Sequence, residues 1–214
     1  MAKKKSGHSS SQRRGKSDKQ LQRGRGDRQP KEVILIVVEG EKTEYNYFRS
    51  LKQDLRLSTL QIEVEAAAGG KSGDCRKIVA KAKALKERKK PDRVYCVFDG
   101  DRPEFKEAVT NIEKYKMQAV TSVPCFEFWY LLHFCYTSSP FEKCDRVSKR
   151  LEPYLKKEGI IEKTGRYEKN LDLYQPLKSY QETAIQRAEK LAKTEEENPS
   201  TNVHDLVKYL NTQK

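Results

Sequence analysis

No stretch of this sequence approaches the ~18 consecutive apolar residues of a membrane-spanning helix, and no apolar segment follows Lys3-Lys4-Lys5 to make a secretory signal. Cys-x-x-Cys spacing is also missing. The five cysteines, Cys75, Cys96, Cys125, Cys135 and Cys144, are odd in number, and three fall in apolar runs, where a free thiol behaves as a small hydrophobe. That usage argues against a disulfide framework and against a zinc site, and predicts a protein of the reducing cytoplasm. With 214 residues there is room for one core and a small extension but not for two full domains, and no internal repeat occurs.

Large apolar residues are nearly absent from residues 1–31, which are rich in Ser, Gly, Gln, Lys and Arg. Such a composition cannot bury enough surface to offset the entropy of ordering, so a disordered basic tail is expected there. The formal net charge is +13, and most of that excess lies in the tail. Its Arg23-Gly24-Arg25-Gly26 segment is of the kind that contacts nucleic-acid phosphates without choosing a sequence, and a solubilising tail is the plainer alternative.

From residue 32 the pattern predicts an α/β fold with a mainly parallel sheet of roughly four strands. Residues 33–38 are continuously apolar, as in a strand covered by helices on both faces. Further strands are expected at 61–65, 94–98 and 119–123. Between them, Tyr47, Phe48, Leu51 and Leu55 form a helical stripe that Thr43 can cap, and Ile78, Val79, Ala82 and Leu85 form a second. Pro103 suits the first turn of a third helix carrying Phe105, Val109 and Ile112. Phe126 to Phe134 is too long and unbranched for a strand and reads as a buried helix. The division predicted is a tail at 1–31, an α/β core at 32–136 and a helical extension at 137–214 packed on it, with Asn198-Pro199-Ser200-Thr201 breaking one helix and capping the last.

Two of these strands run directly into acids. The first ends in Glu39-Gly40-Glu41-Lys42-Thr43-Glu44, the third in Asp99-Gly100-Asp101. In open α/β sheets such strand ends border the crevice where ligands sit. Two aspartates two residues apart, joined by a glutamate from another strand, make an oxygen site for Mg²⁺, which keeps several waters and needs few protein ligands. The plainer reading is that these acids cap helices and turns. Gly70-Lys71-Ser72 invites a P-loop reading, but that motif requires glycine where Glu65 stands.

The order Glu39-Gly40 and then Asp99-x-Asp101 resembles the Toprim module. Pro124-Cys125-Phe126-Glu127-Phe128-Trp129-Tyr130-Leu131-Leu132-His133-Phe134 and Asn198-Pro199-Ser200-Thr201 resemble signatures of the RloB-like family, a Toprim-like branch of bacterial defence proteins often encoded beside an ABC-type or AAA-type ATPase. The resemblance runs from about Val33 to Leu210 and leaves out the tail. It implies that Glu39, Asp99, Asp101 and Glu127 occupy the family's acidic positions.

The expected function is a Mg²⁺- or Mn²⁺-dependent nuclease acting on DNA or RNA, tRNA included, in anti-phage defence and under the control of an ATPase partner. Glu39, Asp99 and Asp101 would be ligands, Glu127 a ligand or general base, and Glu44 a further ligand. Lys42, Lys71 and Arg102 lie on loops facing the same edge, where a cation can hold a phosphate. Glu127 sits in an aromatic segment, so it requires either an ion or a basic partner, or a proton. His133, six residues on, falls near the opposite helical face and reads as a core residue. Topoisomerase and primase architectures need domains for which this chain is too short. The contrasting expectation is a non-catalytic module that holds nucleic acid or the ATPase.

Overall fold

In the computed structural model, Met1 and residues 32–64, 74–100, 103–194 and 196–213 are described. The predicted tail, the glycine-rich turn with Lys71, and Asp101 with Arg102 lie outside the described residues. Five strands make one sheet in the order β2-β1-β3-β4-β5: β1 Ile34–Val38, β2 Leu60–Val64, β3 Arg93–Asp99, β4 Gln118–Val123 and β5 Ser200–Thr201. The first four run parallel, with Val38 level with Val64 on one side and Val97 on the other. β5 joins antiparallel, Ser122 opposite Thr201. This is an α/β fold with a mostly parallel sheet flanked by helices, consistent with the Toprim-like arrangement.

Strand β1 shows why the sheet is a central layer. Its side chains alternate between faces as a strand's must, and both sets are buried. Leu35 and Val37 pack with Ile78, Ala82 and Ile112 of α2 (Cys75–Lys89) and α3 (Phe105–Lys114). Ile34, Ile36 and Val38 pack instead with α1 (Thr43–Asp54), α4 (Glu127–Phe134), α5 (Cys144–Lys157), α6 (Tyr174–Leu177), α7 (Gln181–Ala192) and α8 (Val203–Asn211). Neighbouring strands β1 and β3 are therefore followed by helices on opposite faces. Their carboxyl ends open the crevice in which open α/β sheets bind ligands.

Four expectations need correction. Thr43 is the first helical residue of α1 rather than its cap; Lys42 holds the cap position, and no side chain caps there. Pro103 and Glu104 form a turn before α3 instead of its first turn. Asn198 to Thr201 is more than a break, because Ser200–Thr201 is an edge strand, although Thr201 Oγ1 does accept the Val203 N–H at 3.3 Å at the start of α8. A two-residue strand carries too short an alternation to be read in a sequence. Finally, Cys125 and Cys144 form a disulfide with Cα atoms 5.6 Å apart, against the expectation of free thiols throughout. An odd count leaves a pair able to form; Cys75, Cys96 and Cys135 lie outside that disulfide.

Candidate active site

The crevice is built by three chain segments leaving the sheet and one loop crossing over it. Glu39 follows β1 directly and is buried. Asp99 ends β3, and Gly100 continues past it by donating its N–H to the Ser122 carbonyl at 2.8 Å. Glycine avoids a clash there, since a Cβ would push against Val123 Cγ2. Asp99 Oδ1 accepts the Phe126 N–H at 2.9 Å, which fixes the entry to α4 against the end of β3.

Glu127 opens α4 and is 1% exposed. Burying a carboxylate costs several kcal/mol unless partners replace its water, and here they come from distant parts of the chain. Thr43 Oγ1 and the Tyr167 hydroxyl each lie 3.2 Å from Glu127 Oε1 as donors, and Lys169 Nζ lies 3.6 Å from the same oxygen. Thr43 Oγ1 is also 3.3 Å from the Lys169 carbonyl, so its single proton divides between two acceptors. Cys144 Sγ approaches Glu127 Oε2 at 3.2 Å, but as half of a disulfide it has no proton to donate.

Electrostatics tie the acids together. Removal from water raises the Asp99 carboxyl well above the usual carboxylate range, and the charges of Glu44, Glu127 and Glu39 raise it further. Glu44 is pushed up to about 7, chiefly by burial and then by Glu127 and Glu39. Lys169 opposes both shifts. Burial favours its neutral form, but Glu127, Asp99 and Glu44 outweigh that and its ammonium titrates above its ordinary range. Burial and the neighbouring Glu127 likewise raise the Tyr167 phenol, so it stays a donor. Among the described residues, one ammonium against four carboxylates leaves the crevice negative, the condition under which acids take up protons or bind a cation.

The profile of the RloB-like protein family matches residues 34–210. This chain belongs to the RloB-like family. No curated protein and no solved structure matches it.

In this RloB-like protein, Glu39, Glu44, Asp99 and Glu127 share one crevice. The set is loosely held: among the described residues, the group of three whose ligand atoms all lie within 4.8 Å of one another is Cys125, Glu127 and Cys144. The predicted acids do not form such a triple, and Asp101 lies outside the described residues. An all-oxygen donor set of this openness still fits Mg²⁺ or Mn²⁺, which keeps waters between itself and some carboxylates. Lys42 and Glu41 are exposed at the entry to α1. His133 is a core residue, as expected: its Nδ1 lies 2.9 Å from the Trp129 carbonyl, and burial lowers it to about 4. No helix among the described residues is long and apolar enough to cross a membrane.

Two contributors escape the sequence pattern. Tyr167 and Lys169 sit in the polar loop between α5 and α6, with nothing in their neighbourhood to mark them. The loop is tied down by Tyr167 N–H to Glu152 Oε1 at 3.1 Å, Asn46 Nδ2 to the Asn170 carbonyl at 3.1 Å, and Ser50 Oγ to Asp172. Burial of Glu44, by contrast, had a legible cue. It stands three, four and seven residues before Tyr47, Phe48 and Leu51, on the apolar stripe itself.

Proposed function

We propose that this RloB-like protein is a divalent-cation-dependent phosphodiester hydrolase that acts on nucleic acid in bacterial anti-phage defence, beside an ATPase partner in the cytoplasm. The observation that carries the reading is the gathering of Glu39, Glu44, Asp99 and Glu127 where β1 and β3 end, where burial, and after it the charges of Glu127 and Glu39, raises Glu44 to about 7. Glu39, Glu44, Asp99 and Glu127, with Asp101, would hold Mg²⁺ or Mn²⁺. When bound, the ion supplies charge to a phosphate oxygen and acidifies a water.

The residues divide the remaining work. Asp99, through the Phe126 N–H, keeps β3 and α4 in register. Glu127 is held by Thr43, Tyr167 and Lys169, so its orientation is set before any ligand arrives. Glu44 gains or loses its proton near neutrality, and a bound cation would favour its ionised form. Lys169 Nζ borders the acids with half its side chain exposed, and it would meet a phosphate entering from solvent. The basic tail would add sequence-independent phosphate contacts.

The test is Mn²⁺ calorimetry joined to cleavage of mixed DNA and RNA, comparing the protein with Asp99→Asn. Loss of ion binding and of cleavage in the folded variant is expected. Cleavage that persists without Asp99 and without divalent ions would sink the proposal. One observation favours a second reading, a non-catalytic module for nucleic acid or an ATPase. Glu127 already has a lysine and two hydroxyl donors and can be satisfied as a structural residue. Ion binding with no cleavage, alone or with the ATPase, supports that reading.

A further inference from the structure

Beside the all-oxygen crevice lies a donor set of different chemistry. Cys125 Sγ, Cys144 Sγ and a Glu127 carboxylate oxygen lie within 4.8 Å of one another. Cys125 is fully buried, just before α4, while Cys144 is the first residue of α5 and is partly exposed. Two helix starts therefore bring two sulfurs and a carboxylate to one point. We propose that, when the disulfide is reduced, Cys125, Cys144 and Glu127 bind one thiophilic divalent cation of the zinc class.

Three considerations select that ion. Thiolate sulfur prefers Zn²⁺ to Mg²⁺, whereas the neighbouring carboxylates prefer the harder ion, so the two sets differ in what they take. Zinc binds Cys sulfur at about 2.3 Å and carboxylate oxygen at about 2.0–2.2 Å, and three protein donors with one open position is a recurrent arrangement. The charge also closes: two thiolates and a carboxylate are balanced by the divalent ion together with Lys169, whose Nζ is 3.6 Å from Glu127. The first turn of α5 places its partial positive charge beside Cys144 and favours an anionic sulfur there.

The chemistry balances without further partners. A phosphine reductant and one water convert the disulfide to two thiols and the phosphine to its oxide, and binding of the ion to two thiolates then releases two protons. In the oxidised protein each sulfur is bonded to the other, and no thiolate is offered. Glu127 is shared, so an ion held by the cysteines draws this carboxylate from the oxygen crevice. The site stands independently of the hydrolase reading, because ion binding is read directly.

The experiment is Co²⁺ titration of the full chain, before and after phosphine reduction, in excess Mg²⁺. The reduced protein is expected to take up one Co²⁺ with a sulfur-to-cobalt charge-transfer band, and the oxidised protein to show none. Cys144→Ser should lose the band, Cys135→Ser should keep it, and Glu127→Gln should weaken binding by about tenfold or more. A second measurement needs no variant: Zn²⁺ should shield Cys125 and Cys144 of the reduced protein from alkylation but leave Cys135 reactive. A reduced protein without the band, a band that survives Cys144→Ser, or alkylation of Cys144 unchanged by Zn²⁺ overturns the assignment.

Discussion

The two faces of the sheet are built on different terms. Under α2 and α3, Leu35, Val37, Ile78, Ala82, Cys96, Phe98 and Ile112 pack as one apolar cluster. Under α1 and α4 to α8, the core is aromatic: Tyr47 alone meets Phe48, Phe126, Trp129, Tyr130 and Tyr174. Buried Glu44, Glu127 and His133 lie on that side. The first face is an apolar cluster that holds the sheet. The second surrounds its polar groups with rings that carry hydroxyls, and it can therefore bury carboxylates in a fixed geometry and still satisfy them.

The contrast is sharpest where a change on one face leaves the other untouched. Ile112→Ala, at a fully buried position on the dry face, should cost about 2–5 kcal/mol in denaturant unfolding. Mn²⁺ affinity of the folded fraction should not change, and a parallel loss of affinity would show that the faces are coupled.

The second test is pH. Glu44 titrates near 4.5 when unfolded and about 7 when folded, so the folded state binds the proton more tightly. Its contribution to stability is fully present below about pH 4.5 and is lost as pH rises through 7, a change on the order of 3 kcal/mol. Glu44→Gln should flatten that decline in unfolding free energy measured across this range without added divalent ions. Saturating Mn²⁺ should flatten it as well if the acids hold the ion.

Asp99→Asn should lower divalent-dependent cleavage by about 100-fold or more, equivalent to about 2.7 kcal/mol in the barrier. Its thermal midpoint should hold or rise, because the cost of burying an ionisable carboxyl among other acids is gone; a collapse of the fold would instead assign Asp99 to structure. Gly100→Ala forces Val123 aside and should cost about 1–3 kcal/mol, read as a lower unfolding midpoint.

Lys169→Ala is the smallest effect. The side chain is half exposed, so solvent screening holds the stability change to within about 1 kcal/mol. Its signature is electrostatic: the Glu44 carboxyl, followed by carbon-13 resonances across a pH titration, should rise further once the opposing ammonium is removed. No movement would place Lys169 away from the acids in solution.

Legibility in the sequence followed the range of the interactions. Strand β1 was plain because six consecutive apolar residues admit few other readings, and α4 because its aromatic run exceeds strand length. The acids at the two strand ends were visible for the same reason: each is adjacent in sequence to the element that positions it. Tyr167 and Lys169 were not, because they reach Glu127 from a polar loop in which no periodicity points inward. The Cys125–Cys144 pair spans 19 residues between two helix starts whose closeness only the fold creates. Glu44 lay between these cases, on a readable stripe but of a residue type usually assigned to solvent.

The edge strand β5 places a condition on how this chain is made. Ser122 and Thr201 share a hydroxyl hydrogen bond at 2.7 Å, and the Asn202 side chain bonds both the Thr121 N–H and the Ala119 carbonyl, so the outer edge of β4 is closed by residues about 80 positions later. At roughly 5–20 residues per second of synthesis, that edge waits several seconds for its partner. During that interval the sheet has an open margin able to pair with another nascent chain. Cells making this protein quickly therefore run a race between completion and aggregation, and slower translation through the second half of the message should raise the soluble yield.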